Sequence, residues 1–206
     1  MRTRPHPTFE RILEVPLCLL VLIFLSPLCL VIAMLVASDG GPVVFRHERI
    51  GRDGVTFKCL KFRSMVVDSE ARLNAHLAAD PQARAEWRKD HKLRDDPRIT
   101  RIGKFLRKSS LDELPQLFNV LRGEMSLVGP RPIVRAEVTK YGRNFRHYAS
   151  IRPGITGLWQ VSGRNNVDYR RRVAMDVLYA QRKTPWLYVW ILMATIPAVL
   201  MRHGAH

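Results

Sequence analysis

"VPLCLLVLIFLSPLCLVIAMLVA", residues 15–37, contains no charged side chain. A helix of this length extends roughly 35 Å, enough for the ~30 Å hydrocarbon core of a bilayer. The run is too long for the apolar part of a secretory leader and lacks a convincing small-x-small cleavage site. At its centre stand Ser26 and Pro27. Pro27 has no N–H and its ring crowds the carbonyl of Ile23, so an interruption of the helix is expected there. Two arrangements fit: a spanning helix, in which proline kinks are tolerated, and a re-entrant helix-break-helix that leaves by the leaflet it entered. Arg2, Arg4 and Arg11 precede the run, and Arg46, Arg49, Arg52, Lys58, Lys61 and Arg63 follow it. Cations favour the cytosolic side of a membrane, so this distribution asks for both ends on that face, which the re-entrant form provides.

Downstream, "GPVVFRHERIGRDGVTFKCLKFRSM" (41–65) reads as two β-rich runs around the turn signal Asp53-Gly54, a small β-hairpin. Lys61 and Arg63 flank Phe62, so strand alternation puts both cations on one face, either solvated or turned to phosphate. Residues 68–96 are polar and helix-prone, interrupted near Pro81, with Arg84, Arg88 and Lys92 four apart; a solvated helix pair accounts for them. "DDPRITRIGKFLRKSS" (95–110) supplies a basic amphipathic element whose Ile102, Phe105 and Leu106 suit a core or a membrane surface. "LFNVLRGEMSLVGPRP" (117–132) gives a helix that Gly123 can end, a short strand-like "MSLV", and a Pro-restricted Arg131. Helical spacing returns over 167–183, and 185–201 is apolar and uncharged, with Trp186, Tyr188 and Trp190 at its start in the manner of a membrane interface. The expected class is α+β: a membrane helix at 11–38, a mostly helical cytosolic domain at 39–184 carrying the hairpin and interfacial amphipathic helices, and a membrane-interface segment at 185–203.

A length of 206 residues suits one domain, and 34 Lys and Arg against 18 Asp and Glu give a net charge of +16. That balance favours anionic partners: phosphate ligands, acidic lipid or nucleic acid. The three cysteines and seven histidines show no disulfide or transition-metal spacing. Any metal is therefore expected to be a hard, oxygen-bound ion.

Against this basic background, "SLDELPQL" (110–117) sets Asp112 and Glu113 among Lys104, Arg107, Lys108 and Arg122. A proline is tolerated in the first turn of a helix, so Pro115 places both carboxylates at a helix cap or first turn, where unpaired N–H groups favour anions. One reading is structural, with Asp112 or Ser110 as N-cap and a Ser110–Glu113 capping box. The other is chemical. An ionised Asp112 can attack the phosphorus of a diphosphate to give an acyl-phosphate, provided that Mg²⁺ and arginines neutralise the substrate. Glu113 then helps to ligate the ion or handles a proton. "GPRP" supplies a suitable arginine, since Pro130 and Pro132 hold Arg131 on an extended stem and a guanidinium fork matches phosphate oxygens.

"KFRSM" (61–65), "DPRITRIGKFLRKSSLDELPQLFNVLRGEMSLVGPRP" (96–132) and "RPGITGLWQVSGR" (152–164), after an apolar run with a central Ser-Pro, closely resemble the bacterial sugar transferase family. The resemblance is to its small monotopic polyprenyl-phosphate phosphoglycosyl transferases. It implies transfer of a sugar 1-phosphate from a UDP-sugar to undecaprenyl phosphate, with release of UMP, Mg²⁺ as cofactor and a covalent phosphosugar on Asp112. Glu113 is then its partner at the metal or in proton handling, and Ser26 and Pro27 are the break that makes the membrane helix re-entrant. Arg131 falls in the phosphate-binding "PRP", with Lys61, Arg63, Lys104 and Arg107 as further phosphate contacts and Asp176 as an additional site residue. The implied setting is the cytosolic face of the bacterial inner membrane at the start of exopolysaccharide or O-antigen synthesis, with a hexose such as galactose or glucose. The chain resembles the small type without a multi-helix membrane region, and whether it forms a homodimer stays open. It departs from the family pattern at His47, at Glu14, and in the tail "PWLYVWILMATIP" (185–197), which lacks the charges of "LDLKI".

Two rival classes compete. A membrane-tethered binder of anionic lipid or nucleic acid would show cations interleaved with stacking aromatics, and only Phe62 and Tyr169 approach that, so no nucleic-acid partner is expected. A non-catalytic scaffold of a polysaccharide machine is opposed by the intact "DELPQ" and "GPRP".

Overall fold

The structure, a computed structural model, describes residues 9–90, 93–163 and 167–200. Arg2, Arg4, Lys92, Arg164 and the end of the expected C-terminal segment lie outside them. Helix α1 (Phe9–Ala37) takes in the whole apolar run and continues through Ser26-Pro27 without losing helical structure. The local chemistry explains why the expected interruption does not appear. Pro27 deprives the Ile23 carbonyl of its usual donor, and the Ser26 hydroxyl donates to that same carbonyl at 2.8 Å. The middle of α1 is bare, with Ile23 73% and Phe24 79% exposed. By length and composition α1 can cross a membrane.

After α1 the chain forms the antiparallel hairpin β1 (Val44–Ile50) and β2 (Thr56–Phe62), turned by a 3-10 segment in which Asp53 and Gly54 adopt positive φ. This is the turn that the Asp-Gly signal predicts. Helices α2 (Ser69–Ala79) and α3 (Pro81–Asp90) form the charged pair. Helix α4 (Arg101–Ser109) is capped by Thr100, whose hydroxyl accepts from the Gly103 N–H at 2.9 Å. It buries Leu106 and leaves Phe105 exposed. Helix α5 (Gln116–Arg122) ends at Gly123, φ 80°, as read from the sequence.

Strand β3 (Ser126–Val128) pairs in parallel with β4 (Gly154–Thr156), a second sheet that the sequence reading lacks. Their backbones approach so closely that a Cβ on Gly154 would stand 2.0 Å from the Gly129 nitrogen. Short helices α6 (Val138–Tyr141) and α7 (Phe145–Ala149) bridge the two strands. Helices α8 (Leu158–Ser162), α9 (Tyr169–Arg182) and α10 (Pro185–Leu200) complete the chain. Along α10, Tyr188 and Ile191 are buried while Trp186, Trp190 and Met193 face outward.

Three buried clusters hold the molecule together. In the largest, Leu117, Val120, Met125 and Leu127 pack with Tyr188 and Ile191 against the leading half of α1. In the second, Ile50 and Ile133 meet Tyr141, Tyr148 and Val173. The third sets Ile32 and Val36 of the trailing half of α1 against Phe62 and Leu106. Polar contacts reinforce both ends of α1. Arg11 donates to the carbonyls of Val120 and Leu121 at the end of α5, where helix carbonyls lack partners. Glu14 is fully buried and accepts from Ser126 Oγ, from Leu127 N at 3.0 Å and from Tyr188 Oη at 2.9 Å; its other oxygen lies 3.2 Å from Arg152. At the far end, Arg63 donates to the Val36 carbonyl at 2.7 Å and to Asp39. One body therefore grips this apolar helix at both ends.

Candidate active site

Asp112 and Glu113 lie in a 3-10 turn, Leu111–Glu113, between α4 and α5. This corrects the expectation of a first helical turn, because Pro115 is itself the N-cap of α5. The capping box does not form either. Ser110 ends α4 in the left-handed region, φ 59°, rather than in the extended conformation of an N-cap, and makes no side-chain cap bond. The Glu113 carboxylate turns instead to β2, where Lys61 Nζ lies 2.7 Å from its Oε1 and 3.5 Å from Asp112 Oδ2.

An open cleft begins at this cluster. Arg49, Cys59 and Lys61 enter it from the hairpin, Glu113 from the 3-10 turn, Gln116 from the start of α5, Arg131 and Pro132 from the segment after β3, and Ile155 and Gln160 from β4 and α8. Asp112 is 7% exposed and stands beside the cleft rather than in its lining. The two carboxylates are driven apart electrostatically. Burial raises the Asp112 carboxyl above its ordinary range, with Glu113 adding to the effect and Lys61 and Arg107 opposing it. Burial also acts to raise Glu113, but Lys61, Arg131 and a hydrogen bond from Gln116 outweigh it and hold that carboxyl below the usual value.

The remaining candidates from the sequence divide clearly. Lys61 and Arg131 reach the cleft. Arg107 flanks it, donating to Ser64 Oγ at 2.8 Å while its charge acts on Asp112. Arg63 is not brought to the cleft: its strand ends at Phe62, and its guanidinium turns back to the end of α1. Lys104 pairs on the surface with Asp95 at 3.1 Å. Asp176 is buried in the second cluster, accepting from Tyr141 Oη at 2.7 Å. Ser26 and Pro27 lie in the middle of α1, beyond the cleft lining.

Arg49, Gln116 and Gln160 are cleft residues that the sequence reading passed over. Arg49 carried a usable signal, because the Asp53-Gly54 turn sets a register of Arg49 opposite Phe57 and so gives it the face of Cys59 and Lys61. Gln160 carried none, since its place depends on the unforeseen β3–β4 pairing. As for a metal, the described residues contain no group of three His, Cys, Asp or Glu. The adjacent carboxylates and the nearby Gln116 amide form an all-oxygen donor set. Such a set fits Mg²⁺, which is held through one or two carboxylates and completed by phosphate and water.

Residues 6–202 match the model of a family described as bacterial sugar transferase. The chain belongs to the bacterial sugar transferase family. Among relatives of this chain, the exopolysaccharide production protein ExoY of Sinorhizobium fredii is 49% identical over 96% of this chain and 88% of its own. The undecaprenyl-phosphate galactose phosphotransferase of Salmonella typhimurium is 52% identical over 96% of this chain and 41% of its own. The UDP-glucose:undecaprenyl-phosphate glucose-1-phosphate transferase of Klebsiella pneumoniae is 39% identical over 91% of this chain and 39% of its own. The chain thus spans about two-fifths of the longer relatives and most of the shorter one.

Proposed function

We propose that this chain transfers a hexose 1-phosphate from a UDP-sugar to undecaprenyl phosphate, releasing UMP, as the first membrane step of exopolysaccharide or O-antigen synthesis. The observation that carries the reading is the partly buried Asp112–Lys61–Glu113 cluster at the edge of a cleft bearing Arg49 and Arg131. An Asp112 oxygen attacks the sugar-bearing phosphorus of the donor, and the bond to the bridging oxygen breaks as UMP leaves. A phosphate oxygen of the lipid then attacks the same phosphorus and frees the Asp112 carboxylate, leaving a lipid diphosphate sugar. Lys61 and Arg131 stabilise charge on the transferring group, and Glu113, held ionised, orients Lys61 or takes a proton. Bound Mg²⁺ at Asp112 and Glu113 would supply further charge neutralisation. The names of the Salmonella and Klebsiella relatives support galactose or glucose as the sugar.

The membrane reading follows from the grip on both ends of α1. A domain on the cytosolic face that holds both ends of one helix supports a re-entrant path, with the bare middle of α1 in lipid and the outward Trp186 and Trp190 of α10 at the interface. The test is UMP release by detergent-purified protein given Mg²⁺, undecaprenyl phosphate and a panel of UDP-hexoses and UDP-N-acetylhexosamines. Asp112→Asn preserves shape while removing the nucleophile, so lipid-dependent release is expected from the wild type and none from the folded variant. Turnover retained by Asp112→Asn would remove the covalent route, and silence of the wild type toward every donor would remove the reaction.

A further inference from the structure

Arg49 crosses from β1 to the cleft under unusual restraint. Its Nη1 donates to the Pro132 carbonyl at 3.2 Å, and its Nη2 lies 3.1 Å from His47 Nδ1. Because a guanidinium only donates, Nδ1 must accept, which puts the proton of a neutral His47 on Nε2. Burial, together with the charges of Arg49 and Lys61, favours that neutral form. The nearest carboxylate, Glu137, is 3.8 Å away and already accepts from the Val134 N–H at 2.9 Å. Arg49 is thus held by two neutral acceptors and a long ion pair with Glu137 at 3.8 Å.

Arg131 enters the same cleft from the adjoining segment, is exposed, and makes no ion pair among the described residues. Its charge bears directly on that of Arg49. Lys61, the third cation, is already engaged by the two carboxylates. Two guanidiniums facing one cleft repel one another; Glu137 acts against this at Arg49 and Glu113 at Arg131, and an anion that joins the two forks relieves it further. Each fork matches the oxygens of one phosphoryl group, so two forks side by side suit two linked phosphoryl groups better than one. The Pro132 contact also ties the pair together, since the loop that carries Arg131 is fixed by Arg49 itself.

We infer that Arg49 and Arg131 form a two-guanidinium clamp on the diphosphate of the nucleotide-sugar donor, with Arg49 a substrate-binding residue and His47 the positioning residue that aims it. The inference rests on the donor reading above and adds to it a residue and a geometry. It also gives a purpose to His47, since a glutamine there would offer a similar acceptor.

The experiment titrates full-length protein in detergent with UDP, UMP and inorganic pyrophosphate, and measures the KM for undecaprenyl phosphate, for the wild type, Arg49→Gln, Arg49→Lys and His47→Gln. Thermal unfolding of each variant serves as the folding control. Arg49→Gln is expected to weaken UDP and pyrophosphate by about 10- to 100-fold, the worth of a charge-assisted hydrogen-bonded contact, and UMP by less. The KM for the lipid should not move. Arg49→Lys keeps the charge without the fork and should recover only part of the loss, and His47→Gln, which keeps an acceptor at that position, should lose less UDP binding than Arg49→Gln does. Unchanged UDP binding by a folded Arg49→Gln overturns the clamp. So does a loss confined to the lipid KM, which would give the arginine to the acceptor phosphate. Full rescue by Arg49→Lys overturns it too, since a lysine that merely props the Pro132 carbonyl would then suffice. Wild-type binding of pyrophosphate without any binding of UDP would retain the clamp and remove the uridine donor.

Discussion

Lys61 lies closer to Glu113 than to Asp112, and the lysine's charge is shared between a carboxyl held low and one held high. If Asp112 must be ionised to attack, the rate is lost as pH falls through an apparent value above the ordinary 3.8 of an aspartate. Lys61 opposes that rise, so Lys61→Met is expected to move the acid limb of the single-turnover rate to higher pH; a limb that stays in place or moves down would separate Lys61 from Asp112. Asp176 offers a second titration, away from the cleft. Burial pushes it up to about 7 despite the Tyr141 hydrogen bond and the charge of Arg172. The folded protein then holds this proton more tightly than the unfolded chain does. The associated stability is complete below about pH 4 and is lost as pH rises toward 7. Asp176→Asn, which can still accept from Tyr141, is expected to flatten the decline in Tm across that window and to gain on the wild type at pH 8. Parallel Tm curves for the two proteins would show that the carboxyl does not titrate there.

At the scale of elements, the β3–β4 pair is the least forgiving contact. Gly154→Ala places a Cβ against backbone that has no flexible end to move, so the loss of stability is expected to exceed about 4 kcal/mol, read as a collapse of Tm or of folded yield. A variant that melts like the wild type would mean that the strands can separate freely. This pair also marks where the sequence stops speaking. The hairpin, Gly123 as a helix stop and the basic amphipathic helix were legible because each is written locally, in turn residues or periodicity. Three-residue strands carry no period, and a parallel partner 28 residues away leaves no turn signal. The dyad was legible as a pair of carboxylates in a basic field. The rotation of Glu113 onto Lys61 was not, because it depends on Ser110 adopting a left-handed conformation more typical of glycine.

For the whole molecule, the two-ended grip on α1 sets the topology that labelling can read. Single cysteines at Phe9 and Ser38, in a background free of reactive native thiols, are both expected to react from the cytosolic side of sealed vesicles. Opposite sidedness would establish a crossing helix and end the re-entrant reading. The Glu14 node carries a consequence for how the protein is made. A carboxylate near the start of a membrane helix finds its partners in Ser126, Leu127 and Arg152, and its last one in Tyr188, 174 residues later. Until the ribosome has delivered α10, that carboxylate cannot be fully satisfied, and a buried polar group without its partners is costly. The leading end of α1 is thus completed by a segment 174 residues further along the chain. Ribosome-bound chains that stop short of Tyr188 should therefore hold the membrane loosely and fall to proteases that the finished protein resists.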